Sequence, residues 1–177
     1  WFHANGVDES NVHQPYKPKS HGLGNSQVLP RDYVKQRDIE VVLSEMAEQV
    51  AIRMRREHRK ATIVSVVVTY SKTEMKQPIN TQMKIEPTNN TDILINYVLQ
   101  LFHNKYTSGA IRSVAVNYSG FVDESFGLIS LFDDTNKVEK KERLQAAIDS
   151  IRDQFGFTSL LKANSLDKAS RSIARSK

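Results

Sequence analysis

Hydrophobic residues recur along the chain with two different periods. Between 36 and 59, Ile39, Leu43, Met46, Val50 and Met54 return every three or four positions, which predicts a helix with one apolar stripe. Residues 61–71 change to a period of two. Val64, Val66, Val68 and Tyr70 fall on one face, with Ser65, Thr69 and Ser71 on the other, the alternation of a half-buried strand. Residues 79–86 alternate again, Ile79, Thr81, Met83 and Ile85 against Asn80, Gln82, Lys84 and Glu86. Turn and cap residues over 87–92 precede a second helical run to about 105, whose stripe is Leu94, Val98, Leu101 and Phe102. A strand over 111–119 sets Val114, Val116 and Tyr118 inward and Ser113 and Asn117 outward. Gly22 and Gly24 mark a further strand over 20–29, where glycine admits the close approach of another backbone.

This order, β-α-β-β-α-β, predicts an α+β domain: a four-stranded sheet with two helices on one face. The other face is left open, and Ser65, Thr69, Ser71, Asn80, Gln82, Lys84, Ser113 and Asn117 belong to it. Small polar side chains of this kind let a sugar-phosphate backbone come close. They also suit an ordinary solvated sheet face.

The flanks divide the chain further. Residues 1–19 are polar, with Pro15 and Pro18, and read as an extended linker before a domain at 20–120. Residues 121–135 form a connector. A third helix is predicted over 136–154, with Val138, Leu144, Ile148 and Ile151 as its apolar residues. From Lys162 the chain carries five cations against Asp167, a composition expected to move freely or follow nucleic acid. Arg53, Arg55, Arg56, His58 and Arg59 crowd the end of the first helix, where its dipole favours cations; phosphate contact is the alternative.

Composition limits the function classes. The 177 residues fit one domain plus tails, and a net charge of +5 modestly favours an anionic partner. The absence of cysteine excludes disulfides, thiolate nucleophiles and zinc fingers, and agrees with a reducing cytoplasm. No apolar run approaches the roughly 18 residues needed to span a bilayer. The start, Trp1-Phe2-His3-Ala4-Asn5, has neither Met nor a basic leader and reads as a cut from something longer.

No catalytic constellation or metal site emerges. The five histidines lack ligand spacing, and Gly22-Leu23-Gly24 opens no phosphate-binding fingerprint. The carboxylate pairs Asp123-Glu124 and Asp133-Asp134 lie on the connector, where a solvated acidic loop accounts for them. The fragment is expected to need no cofactor and to be no enzyme by itself.

The connector holds one more feature. Leu128-Ile129-Ser130-Leu131-Phe132 places two adjacent large apolar side chains, Leu131 and Phe132, between a strand and a charged helix. They suit the pocket of a partner, or pack back on the sheet or the third helix.

Taken together, Trp1 to Asp8, Lys19-Ser20-His21-Gly22, the strands Val64–Tyr70 and Ile111–Tyr118, and Leu128–Asp134 followed by the Leu144–Phe155 helix resemble, in order, the C-terminal part of the Y-family translesion DNA polymerases, UmuC-like (ImpB/MucB/SamB) branch. The resemblance covers most of the chain. It implies a little finger domain, at 20–120 behind a linker from the thumb, that grips template-primer duplex through its open sheet. The implied DNA-binding residues are Lys19, Ser20, His21, Gly22, Thr69, Ser71, Lys72, Asn80, Gln82 and Lys84. The clamp-binding positions are Leu128, Ser130, Leu131 and Phe132; Leu128 stands where the family has Gln, which removes that residue's hydrogen bonds. The resemblance further implies a DNA-directed DNA polymerase as the parent, with its Mg²⁺ and catalytic carboxylates upstream. It implies DNA repair in an SOS response, and a bacterial, cytoplasmic, nucleoid-associated location.

Two other readings stand beside it. Ferredoxin-like RNA-binding sheets stack bases on exposed aromatics, and here Tyr70 and Tyr118 fall on the inward set. A protein-interaction domain using the third helix is the other.

Overall fold

The structure, a computed structural model, describes residues 3–7, 21–125 and 135–175. Four long strands form one antiparallel sheet: β1 (Gly22–Tyr33), β2 (Arg59–Tyr70), β3 (Ile79–Thr88) and β4 (Ile111–Ser119), in spatial order β1-β4-β2-β3. Helices α1 (Gln36–Arg56) and α2 (Thr91–Lys105) cover one face. The predicted α+β sheet with two helices on one face is therefore present. A two-residue strand, β5 (Val122–Asp123), pairs with the start of β2 and was not expected.

The core is the layer between sheet and helices. Val64, Val66, Val68 and Tyr70 of β2 and Val114, Val116 and Tyr118 of β4 are buried on the inner face. The predicted stripes meet them: Ile39, Leu43, Met46, Val50 and Met54 from α1, and Leu94, Val98, Leu101 and Phe102 from α2, all buried. Burying side chains of this size stabilises by about 1.5–3 kcal/mol each. Tyr118 lies fully inside, its hydroxyl donating to the Ala47 carbonyl at 3.1 Å, and burial pushes its pKa upward. Asn90 caps α2, its side-chain oxygen accepting from the amides of Asp92 and Ile93.

The outer strand β1 is irregular at its edge. β1 bulges between Val28 and Tyr33, and Pro30 sits inside that bulge, where a missing N–H breaks no ladder bond. At the other end of β1, Arg53 reaches from α1 to the Gly24 carbonyl at 3.2 Å. The first helix ends at Arg56, short of the predicted 59, because His58 turns with φ +52 and Arg59 already opens β2.

The C-terminal part departs most from expectation. Helix α3 (Thr135–Phe155) forms where predicted, but its apolar stripe does not pack inward. Leu144, Ile151 and Phe155 are exposed, and Ile148 is only half-buried. The buried residue is Arg152, which pairs with Glu48 of α1 at 3.1 Å, both side chains under a tenth exposed. Arg152 also donates twice to the Leu160 carbonyl and lies over the Phe157 ring. Arg55 and Arg56 at the end of α1 bind Asp149 and Asp153 of α3. The arginine cluster thus has specific partners, a stronger reason for its position than the helix dipole alone.

The basic tail is likewise a packed strap. After Gly156 it passes through short 3-10 turns at Phe157–Ser159 and Ala163–Leu166 to α4 (Ser172–Arg175). Lys162 pairs with Asp92 at 3.0 Å. Ser165, Ala169 and Ser172 are buried, Tyr33 donates to the Ala169 carbonyl at 3.1 Å, and Glu45 accepts from the Ser170 hydroxyl and the Arg171 amide. The described residues of the tail are therefore packed against the domain rather than freely extended.

Replacing Arg152 with Ala leaves Glu48 buried without its cation, and this is expected to cost about 3–5 kcal/mol. The pair Glu48→Leu/Arg152→Met should recover most of that loss. Urea unfolding of the single and double variants measures both.

Candidate nucleic-acid interface

The uncovered face follows from strand register. Gly22, Ser119, Ile63 and Lys84 lie in one row across the sheet. Next come Gly24, Asn117, Ser65 and Gln82, and then Ser26, Ala115, Val67 and Asn80. The last row holds Val28, Ser113 and Thr69. Every side chain in these rows is half-buried or exposed, and none is aromatic. Lys84 is the single cation among them.

This places Thr69, Asn80, Gln82 and Lys84 together as expected, with Gly22 at the start of β1 and His21 exposed just before it. Lys72 is exposed in the 3-10 turn Lys72–Glu74, at the end of β2. Ser71 does not join the face. It lies just past the end of β2, is buried, and donates its hydroxyl to Asp32 at 2.6 Å, so its place in the alternation is lost where the strand ends. Lys19 and Ser20 lie outside the described residues, as do Leu128, Ser130, Leu131 and Phe132.

The register adds Ser26, Val28, Ile63, Val67 and Ala115 to the face. Their signal in the sequence is the same alternation, continued through Gly22, Gly24, Ser26 and Val28. The two β1 glycines have a local cause. A Cβ on Gly24 would stand 2.9 Å from Asn117 Oδ1, and one on Gly22 would stand 3.0 Å from the same atom. The asparagine amide therefore lies over β1 in space that the glycines vacate. The result is a shallow surface at that edge, with main chain close to the outside.

The connector begins beside the start of β2, where β5 pairs with it. Glu124 accepts from the Asn89 side chain at 2.8 Å and faces His58 Nδ1 at 3.1 Å, while its amide donates to the His58 carbonyl. Hydrogen bonds from the Ser125 hydroxyl and amide hold the Asp123 carboxyl below its usual range. The acidic pair thus fastens the connector to the body. Among the described residues, no group of three His, Asp or Glu side chains is arranged to hold a metal. Nor is any helix there long and apolar enough to cross a membrane.

In chemical terms the face offers hydroxyl and amide groups, one ammonium and accessible main chain. That inventory suits sequence-independent contact with phosphates and sugars better than base reading, which needs longer side chains inserted into a groove.

The architecture is that of an α+β domain, an antiparallel sheet with helices on one face. Residues 20–131 match the impB/mucB/samB family C-terminal domain, and the chain belongs to that family. It is 32% identical over 176 residues to UvrX of Bacillus subtilis, a protein named for UV-damage repair; the alignment covers 99% of this chain and 42% of UvrX. It is 32% identical over 180 residues to DNA polymerase IV 2 of Halalkalibacterium halodurans, covering 100% of this chain and 43% of that protein. The chain therefore spans less than half the length of these relatives. A solved chain from a complex of beta-clamp processivity factor and little finger domain of PolIV aligns with 64% of this chain and all of its own length, at TM-score 0.46 and 11% identity.

Gly24 has no positive φ, so the nearest obstacle to alanine is the Asn117 amide at 2.9 Å, with the Val116 carbonyl next at 3.3 Å. Gly24→Ala is expected to destabilise by about 1–3 kcal/mol through overpacking. Adding Asn117→Ala should return most of that loss, as read from denaturation midpoints.

Proposed function

We propose that this domain grips template-primer duplex DNA across its uncovered sheet face, as the non-catalytic DNA-holding part of a lesion-bypass polymerase. The observation that carries the reading is the four-row face of small polar residues, bounded by the glycine edge of β1. Gln82, Asn80 and Thr69 donate to phosphate oxygens, Lys84 supplies charge, and the amides at His21 and Gly22 lie where the chain first joins the sheet. Ser65 and Asn117, in the same row as Gln82, extend the donor set across the strands. The relatives named as DNA polymerases support this reading.

The Leu128–Phe132 segment docks on the sliding clamp through Leu131 and Phe132, the apolar pair that its sequence preserves. Without the glutamine of the family motif at 128, the affinity is lower than a full motif gives. The polymerase activity and its Mg²⁺ belong to the part of the longer protein that precedes this chain. An RNA-binding role is disfavoured by the lack of aromatic side chains on the open rows, since Tyr70 and Tyr118 are buried on the other face.

Fluorescence anisotropy with a primer-template duplex at low salt tests the first claim. Binding should be indifferent to sequence and fall steeply with salt. Lys84→Ala should reduce the slope of log affinity against log salt by about 1. Ser71→Ala should lower stability and leave duplex affinity unchanged. No duplex affinity at low salt, or a strong preference for single-stranded RNA, would overturn the reading. For the second claim, Leu131→Ala/Phe132→Ala should abolish co-elution with a bacterial clamp while duplex binding persists; unchanged co-elution would remove the segment from that role.

A further inference from the structure

The last turn of α1 carries two arginines that the open face does not use. Arg55 makes a two-pronged contact with Asp149 of α3, Nε to Oδ2 at 2.6 Å and Nη2 to Oδ1 at 3.1 Å. Its remaining nitrogen, Nη1, donates to the Asn89 carbonyl at 2.8 Å and to Thr91 Oγ1 at 2.9 Å. Those two bonds come from the body of the domain, so they aim the guanidinium whether or not α3 is docked. Arg56, beside it, pairs with Asp153, and both side chains are more than half exposed. A guanidinium fixed along one edge and presenting a fork of N–H groups fits a phosphate as well as a carboxylate.

The helix that supplies the carboxylates is an unusual neighbour. It turns Asp149, Arg152 and Asp153 towards α1 and leaves Leu144, Ile151 and Phe155 62%, 40% and 66% exposed. Helices in globular proteins bury the apolar stripe and expose the charged one. Docked the other way round, α3 is held chiefly by charge. Glu139 to Ala147 are exposed apart from half-buried Gln145, so this stretch of the helix has little to hold it. The Glu48–Arg152 pair, with the Leu160 carbonyl, anchors the other end.

We propose that Arg55 and Arg56 form a DNA-backbone phosphate site which α3 occupies with Asp149 and Asp153, the carboxylates standing in for phosphates until duplex displaces them. The inference rests on the duplex-binding reading. The site lies at the end of the domain where β1 begins, since Arg53, on the same turn of α1, reaches the Gly24 carbonyl. Displacement exchanges one anion for another at each arginine, and release of counterions from the duplex favours the exchange.

The test compares duplex affinity and its salt dependence in four proteins: wild type, Asp149→Asn/Asp153→Asn, Arg56→Gln, and the triple variant. Unmasking by the double variant should tighten duplex binding about tenfold at low salt and steepen the salt slope by about 1–2. Arg56→Gln, at an exposed position, should take back about half of that gain in the triple variant. Hydrogen exchange of residues 139–155 should quicken in the wild type when duplex is added and stay unchanged with inorganic phosphate alone. If wild type binds duplex while the double variant binds no better, and duplex leaves α3 exchange unaltered, the masked site is wrong and the open-face reading stands. If neither protein binds duplex, both fall. If inorganic phosphate quickens α3 exchange as much as duplex does, the site is a general anion site and the assignment to the DNA backbone is overturned.

Discussion

Everything in this domain depends on the inner faces of β2 and β4. These two strands are central, and their inward side chains are three valines and a tyrosine in β2, and two valines and a tyrosine in β4, all buried. β-Branched residues fit a pleated surface that is closed on one side. Because side chains alternate strictly, burying one set commits the other set to the outside, and a one-residue slip would exchange them. The positions of Ser65, Thr69, Ser113 and Asn117 on the open face are thus consequences of where Val64, Val66, Val114 and Val116 must go. The two helices complete this constraint: their stripes close over the valines, and nothing in α1 or α2 is left to cover the opposite side.

That dependence explains what was legible in the sequence. The helices α1 and α2, the strands β2, β3 and β4 and most of their outward set follow from periodicity, because the predicted apolar stripes did go inward, while β1 was marked by its glycines. The same logic failed at α3. A period of 3.6 shows that a helix has two unlike faces but does not say which one packs, and here Asp149, Arg152 and Asp153 share one face at i, i+3 and i+4 while Leu144, Ile148 and Ile151 share another at i, i+4 and i+7. Which face wins depends on Glu48, Arg55 and Arg56, distant residues that face the helix only after folding. The strap after Gly156 was misread for a similar reason. Its composition is polar, yet Ala169 and two serines are small enough to pack on α1, and Glu45 receives the donors of Ser170 and Arg171. Ser71 followed the alternation one residue too far, and β5 is too short to have a pattern at all.

The charges divide along the same line. On the open rows, the protein keeps one lysine among amides, hydroxyls and small apolar side chains. On the helical side, cations and carboxylates are paired off against one another: Arg55 with Asp149, Arg56 with Asp153, Arg152 with Glu48, Lys162 with Asp92. Exposed pairs of this kind add little stability, with a typical value near 0–1 kcal/mol. The buried pair Arg152–Glu48 fixes orientation more than it adds stability, since both ions lose water to meet. The function of these pairs is therefore better sought in where they hold α3 and the strap than in how firmly they hold the domain together.

Holding α3 has a geometric consequence for the connector. Residues 126–134 run between two points the structure fixes: β5 with Glu124, tied to His58 and Asn89, and the start of α3 at Thr135. Asn89 also offers its carbonyl to Arg55, so one loop between β3 and α2 supports both the near end of the connector and the arginine that grips α3. A change in how α3 sits would move the far end of the connector while the near end stays on the sheet. The β5 end of the sheet and the arginine pair are in this way joined through a few polar contacts at one end of the domain. Contacts of that type can be exchanged for those of an anionic partner without disturbing the apolar layer between sheet and helices.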